Sequence, residues 1–572
     1  MIEVRELRGV GVGTGIVVGP VLHVSRQATA APTDAPSTLG ADAELARARE
    51  ALAGVSAQLR ERAAGADEAT RDVLEAQALM TDDPELLAAV ERHLESGVTA
   101  EKAVTDAFGE FSALLADAGE YFAERVADLH DLADRAVAAL QGRSTELVTD
   151  PGHPYVLVAR DLAPADTAVL DLDRVLAFVT SEGGPTSHTA ILARQRGIVA
   201  IVGASGVESL PDGTRVIVDA ERGRVYADPD AAELADAEQR IAARQAAADA
   251  PAGPGALADG TPIKLLANLG KPGEAAEAVR LGAEGVGLFR TEFLFLDDDA
   301  TAPTVEDQRA SYREVLAAFP GKRVVVRLLD AGADKPLAFL SPGEEENPAL
   351  GRRGLRALRA SESVLRDQLA ALAAAQAETD AELWVMAPMV ATVEETVFVT
   401  RAIHEAGIRT AGVMVEIPSV ALVADRVLAR TDFASIGTND LTQYTMAADR
   451  QLGSVAALQD PWHPAVLRLV KEVGAAGAAS GKPVGVCGEA AADPLLAVVL
   501  AGLGVTSLSM SPTALADVRV SLARYTLDDA RAIAEAALAA DEAADAREAA
   551  RAAADTITAG RSSGIRARRH TP

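Results

Sequence analysis

Four arginines, two carboxylates and a thiol in the second half of this chain have the chemistry to hold a small phosphorylated acid. Arg290, Arg327, Arg353 and Arg450 could clamp an anion, because guanidinium forks match phosphate and carboxylate oxygens two at a time. Glu416 and Asp440 supply hard oxygen ligands for a small divalent cation, and Mg²⁺ typically takes one or two carboxylates while sharing the substrate's phosphate. Cys487 is the only cysteine of the chain. Taken singly, each has a bland reading: an arginine at a strand end forms a surface ion pair, a glutamate caps a helix, and a lone cysteine is commonly a small buried apolar residue. Cations, carboxylates and a thiol around one point are harder to explain that way.

The elements that carry these residues repeat. Between about 260 and 530, short apolar strands are predicted to begin near Ile263, Gly285, Arg323, Trp384, Ala411, Phe433, Pro483 and Ser507, each followed by room for a helix. Eight such units in about 270 residues is the (β/α)8 barrel count. Active sites of such barrels lie at the C-terminal ends of the strands. The polar residues predicted there are Asn268, Arg290, Glu292, Arg327, Asp330, Glu416, Asn439, Asp440, Cys487 and Glu489, so the candidate residues converge on one mouth. His463, in "DPWHPAV", could approach that mouth but is assigned no chemical role.

The first half holds a different chemistry. "GGPTSHTAILAR" (183–194) sets His188 between hydroxyl residues, after a glycine pair and before an apolar, helix-like run. Backbone N–H groups at such a helix start favour negative charge. Around it, residues 1–25 and 152–230 alternate short strands with turns, as two halves of one α/β module. Gly9, Gly11, Gly13 and Gly15 do not fit G-x-G-x-x-G, and no GK[ST] follows, so they are read as β-turn glycines rather than a nucleotide loop. Between the halves, residues 40 to about 143 are amphipathic helix patterns. Residues 41–140 carry 22 acidic and 9 basic side chains, a net of −13; charge alone reads as a solvated bundle face. Residues 231–250 form a further helix, broken by "PAGPG" (251–255). Residues 541–572, Ala-rich and then basic, are read as a frayed helix and a disordered tail.

Composition limits the function classes. A chain of 572 residues is two to four domains. A formal net charge of −30 argues against a nucleic-acid-binding surface. One cysteine forbids an internal disulfide and suits a reducing compartment. No signal-like N-terminus and no run of about 18 apolar residues is seen, so the expectation is a cytoplasmic protein without membrane insertion.

At this point the residues resemble a known family. "GGPTSHTAILAR" is similar to the phosphohistidine signature of the phosphoenolpyruvate-utilising enzymes, and "DFASIGTNDLTQYTMAADR" (432–450) to their second signature. "GVGLFRTEFLF", "RLLDAGADKP", "EENPALGRRGLR", "VMVEIPS" and "GVCGEAAADP" match in the same order, and the resemblance covers about residues 1–540. Within the family it points to the Enzyme I branch rather than the dikinases. Those carry a large ATP-binding region ahead of the histidine and usually alanine directly after it, where this chain has Thr189. One departure is Pro185, where better-known members often have arginine.

The resemblance implies a fold and a set of roles. The fold is a swivelling phosphohistidine α/β domain (1–230) with an inserted helical subdomain (about 30–145) that binds the phosphocarrier HPr. A linker helix and hinge (231–258) and a (β/α)8 barrel (259–540) that binds phosphoenolpyruvate and forms a homodimer follow. His188 takes the phosphoryl group and Cys487 protonates the enolate. Arg290, Arg327, Asn439, Asp440, Arg450 and Arg353 bind phosphoenolpyruvate, and Glu416 and Asp440 bind Mg²⁺. The acidity of the helical block then reads as steering for a basic partner.

Overall fold

The computed structural model describes residues 5–13, 15–23, 36–65, 68–117, 120–143, 151–162, 170, 172, 174–183, 189–190, 192–193, 197–249, 253–296, 302–331, 337, 339–340, 345–450, 455 and 458–568. The chain divides into two compact units, Met1–Ala242 and Ala243–Pro572. The division falls inside the helix Ala231–Asp249. No described helix is long and apolar enough to cross a membrane.

In the first unit an eight-stranded mixed sheet runs β1 (Glu6–Arg8), β8 (Arg224–Ala227), β7 (Arg215–Asp219), β3 (Ile16–His23), β4 (Tyr155–Ala159), β5 (Val175–Thr180), β6 (Val199–Val202), β2 (Val10–Val12). β3 to β6 are mutually parallel, and β4 and β6 are buried at every position. That is why they read as continuous Val, Leu and Ile runs rather than an alternating pattern. The glycines near the N-terminus serve close backbone approach: a Cβ on Gly11 would lie 1.8 Å from the Ala220 carbonyl oxygen. No phosphate loop is needed to account for them.

Between β3 and β4 stand five helices, Ala41–Gly65, Glu68–Thr81, Pro84–Leu94, Ala100–Asp117 and Glu120–Leu140. They bury their own core of small and aliphatic residues around Leu59, Leu74, Leu86, Val104, Phe108 and Leu132. The third helix starts by the sequence rule: Asp83 accepts from the Glu85 N–H at 2.8 Å, and Pro84 takes the first helical position. Arg47 ties Glu44 to Glu101, each at 2.6 Å. The block has a separate core and interrupts the sheet in sequence, as an insertion does.

The second unit is a closed barrel of eight parallel strands, β9 (Lys264–Leu269), β10 (Val286–Phe289), β11 (Arg323–Arg327), β12 (Glu382–Ala387), β13 (Thr410–Val415), β14 (Phe433–Gly437), β15 (Val484–Cys487) and β16 (Ser507–Met510). Every predicted strand start falls within two residues of its element. Inside the barrel Leu288, Val325, Met386, Met414, Phe433 and Cys487 form one buried cluster, with Trp384 against it. The outer core fills the space between strands and helices.

One expectation fails. Residues 543–568 are a continuous helix, and Ala546, Ala550 and Ala554 are buried in the barrel's outer core with Ile557 packed beside them. The alanine face at i, i+4, i+8 is a docking stripe whose side chains are too small to register as apolar bulk in the sequence. Residues 569–572 of that tail lie outside the description, as do the side chains of 560–568.

Candidate active site

Five strands of the barrel deliver charged or polar residues to the same end. Arg290 and Glu292 follow β10, Arg327 ends β11, Glu416 follows β13, Asn439 and Asp440 open the helix Thr438–Met446 after β14, and Cys487 ends β15. Arg327, Arg353, Asp330, Asp440, Glu416 and Glu292 are all below a tenth exposed, and Arg290 is exposed beside them.

Buried, these charges pair in a chain. Arg327 binds Glu292 through Nη2 and reaches Asp330 through Nη1 at 3.2 Å. Asp330 also holds Arg353 Nη2 at 2.9 Å, and Arg353 Nη1 reaches Asp440 at 2.8 Å. Arg450 approaches the other oxygen of Asp440 at 4.0 Å. Despite burial, the neighbouring guanidinium groups hold the Asp330 carboxyl below its ordinary value, and the carboxylates raise Arg327 and Arg353 above theirs. Arg353 is therefore engaged by two carboxylates, which fixes the placement of Asp440.

Glu416 is the exception. It is 1% exposed; one oxygen accepts the Met389 N–H at 2.6 Å, and the other is buried with no hydrogen-bond partner. Burial, with Asp440 and Asp330 nearby, pushes its carboxyl up to about 8. A crowded pair of hard oxygen donors, one with an unsatisfied atom, fits a divalent cation. Among the described residues no group of three or more His, Cys, Asp or Glu side chains could hold a metal ion alone. Two carboxylates suit a cation that completes its shell with substrate and water.

The backbone around this corner is specialised. Met389 carries φ 55°, rare for a side chain of its size, and it is the residue whose N–H meets Glu416. Gly437 admits that carboxylate, since a Cβ there would lie 2.8 Å from Glu416 Oε2. Gly488, at φ 102°, leaves room for Thr438 and Asn439.

Cys487 is 2% exposed. Its Sγ accepts from the Ser435 hydroxyl at 3.6 Å and donates to the Ile436 carbonyl at 3.5 Å. Burial pushes the thiol up to about 11, so it is protonated at neutral pH. Asn268 accepts from Ser509 at 2.6 Å. Glu489 is exposed. His463 caps the helix Pro464–Ser480 by accepting the Ala465 N–H at 3.2 Å, which is a structural role.

His188 and Pro185 lie outside the described residues. Next to His188, Thr189 is fully buried and its hydroxyl donates to Asp161 at 3.3 Å.

Sequence reading gave no role to the bracing behind Arg327. Gln368 donates to the Thr291 hydroxyl at 3.2 Å and the Tyr312 hydroxyl at 3.1 Å, and accepts from the Leu329 N–H at 3.0 Å. Thr291 in turn donates to the Arg327 carbonyl at 3.0 Å. A glutamine in a helix 41 positions downstream carries no local signal of this. Asp330 was visible as a strand-end residue, but its part in joining two arginines was not.

Comparison with known proteins agrees along the whole chain. Residues 244–527 match the PEP-binding domain of PEP-utilising enzymes, residues 151–223 their mobile domain and residues 8–125 their N-terminal domain. The phosphoenolpyruvate-protein phosphotransferase of Streptomyces coelicolor is 55% identical over 555 residues, covering 97% of this chain and 99% of that protein. The chain belongs to the phosphoenolpyruvate-protein phosphotransferase family. Members from Haloferax volcanii (41% identical, covering 94% of this chain and 97% of that one) and Bacillus subtilis (36%, 93% and 96%) are more distant relatives. Membership makes this chain a phosphotransferase of the PEP-utilising enzymes, with the barrel as the region matched to their PEP-binding domain.

Proposed function

We propose that this protein takes the phosphoryl group of phosphoenolpyruvate onto His188 and passes it to a histidine of HPr, releasing pyruvate, as the first step of a sugar phosphotransferase system. What supports the reading most is the charge chain at the barrel mouth. It orders arginines and carboxylates for a ligand that is itself anionic and metal-bound, within a chain related end to end to phosphoenolpyruvate-protein phosphotransferases.

In this mechanism Arg290, Arg327 and Arg450 hold the phosphate and carboxylate oxygens of phosphoenolpyruvate, and the Asn439 and Asp440 backbone adds contacts. Arg353 contributes mainly by fixing Asp440, given its two carboxylate partners. Phosphoryl transfer asks for positioning and charge stabilisation more than covalent help. Glu416 and Asp440 would hold Mg²⁺, which when bound neutralises charge on the substrate's oxygens. Cys487, kept as a thiol by burial, gives its proton to the methylene carbon of the enolate. His188 attacks as the neutral imidazole, available near pH 7 from an ordinary value of about 6.5.

The domain reading follows: residues 1–230 carry His188, with the helical insertion as the HPr site. Residues 231–258 are linker and hinge, and 259–540, with the helix to 568, form the substrate-binding and dimerising barrel. A cytoplasmic location accords with a sole, free cysteine.

The test is intact mass after incubation with phosphoenolpyruvate and Mg²⁺, beside His188→Ala and an ATP-only control. One acid-labile phosphoryl group is expected, dependent on His188, absent with ATP and removed by HPr. Labelling by ATP and phosphate would instead indicate a dikinase.

A further inference from the structure

Beneath Cys487 the barrel interior places three serine hydroxyls among its apolar side chains. Ser435, Ser507 and Ser509, with Gly287 and Gly485, line a cavity of about 10 Å³, room for about one water. At its far side Arg323 lies 3.6 Å over the Trp384 ring, and the Arg323 Nε is buried with no hydrogen-bond partner. Arg323, Trp384 and Pro483, which line the cavity on its barrel-floor side, opposite the mouth, are partly exposed. The three serines are each at most 6% exposed. Such polar atoms, placed in a gap, are where an internal water belongs.

Ser435 joins this cavity to the thiol. It lines the gap and its hydroxyl is, among the described residues, the only side chain hydrogen-bonded to Cys487 Sγ. A thiol that gives up its proton each cycle must recover one. The charged groups acting on Cys487 from the mouth are Glu416, Arg327 and Arg290, and that side is where the substrate sits.

We propose that Ser435 returns the proton of Cys487 from the barrel floor, through the buried cavity that its hydroxyl lines. The inference rests on Cys487 being the proton donor. As the S–H bond re-forms, the Ser435 O–H bond breaks. The serine oxygen takes a proton from the cavity water as that water takes one from solvent at the Arg323 end, so no hydroxide is left behind. The net change is one proton from bulk solvent onto the thiolate, with no electron transfer.

The test is rapid-quench pyruvate formation by the full-length protein with phosphoenolpyruvate, Mg²⁺ and HPr, comparing wild type, Ser435→Ala, Ser435→Thr and Cys487→Ala. In Ser435→Ala the first turnover uses a thiol already protonated and stays within about twofold of wild type. Later turnovers slow about tenfold with KM unchanged, a modest share of what proton transfer contributes. Ser435→Thr keeps the hydroxyl and restores them. If Ser435→Ala leaves later turnovers at the wild-type rate, or slows the first turnover as much as the rest, the proton return is overturned. Should that variant not fold, Ser507→Ala, which keeps the Ser435–Cys487 bond, carries the same comparison. Cys487→Ala forming pyruvate at the wild-type rate would remove the proton-donor role itself, a failure distinguishable from that of Ser435.

Discussion

At the residue scale, burial sets the protonation of the groups that matter. Cys487 has its thiol pushed from 9.0 up to about 11. A raised acid favours its neutral form in the folded state, so its contribution to stability is full below pH 9 and is lost as pH rises through about 11. Correspondingly, the native thiol should alkylate with iodoacetamide about a hundredfold more slowly at pH 8 than in the urea-unfolded chain, two pH units being about two decades of thiolate. Replacing Cys487 by alanine should lower pyruvate formation by about 10²–10⁴-fold, with phosphoenolpyruvate affinity nearly unchanged, measured by steady-state kinetics beside direct binding. Asp330 joins Arg327 and Arg353, so Asp330→Asn leaves two buried cations short of a partner and should destabilise the barrel by about 3–5 kcal/mol in urea unfolding. Unchanged stability would mean that Glu292 and Asp440 alone suffice.

At the element scale, much of the barrel is legible because parallel strands buried on both faces read as apolar runs. "RVVVR" and "VMV" announce β11 and β13, and the charged residue closing each run marks the mouth. The partners of those charges are not legible. Glu292 meets Arg327, and Gln368 braces Thr291, only because separate turns of the barrel bring them together. Nor does anything in "PMVAT" foretell the positive φ at Met389. The packing of the last helix is not legible, because alanine scores as a helix former and hardly as core. If its Ala546–Ala550–Ala554 stripe holds it to the barrel, Ala550→Glu buries a carboxylate and should cost about 2–4 kcal/mol, while Ala552→Glu on the exposed face should cost under about 0.5 kcal/mol. Equal effects in chemical denaturation would show that the stripe does not anchor the helix.

At the scale of the whole molecule, the proposed route gives His188 two partners to serve: the barrel site and HPr. The acidic helical block, net −13 over residues 41–140, should attract a basic partner, so the second-order rate of discharge to HPr should fall about tenfold between roughly 0.05 and 0.5 M salt. Loading from phosphoenolpyruvate, which the proposed route places in the barrel, should depend far less on salt; stopped-flow or quench measurements of each half-reaction separate the two. The lone buried thiol has a practical consequence here. A chain whose sole native sulfhydryl is shielded offers a nearly silent background for maleimide dyes, so one surface cysteine engineered in each unit could carry a donor and an acceptor. Single-molecule fluorescence would then time directly, turnover by turnover, the swing that the proposed route asks of the histidine-bearing unit, with the protein's own chemistry left intact.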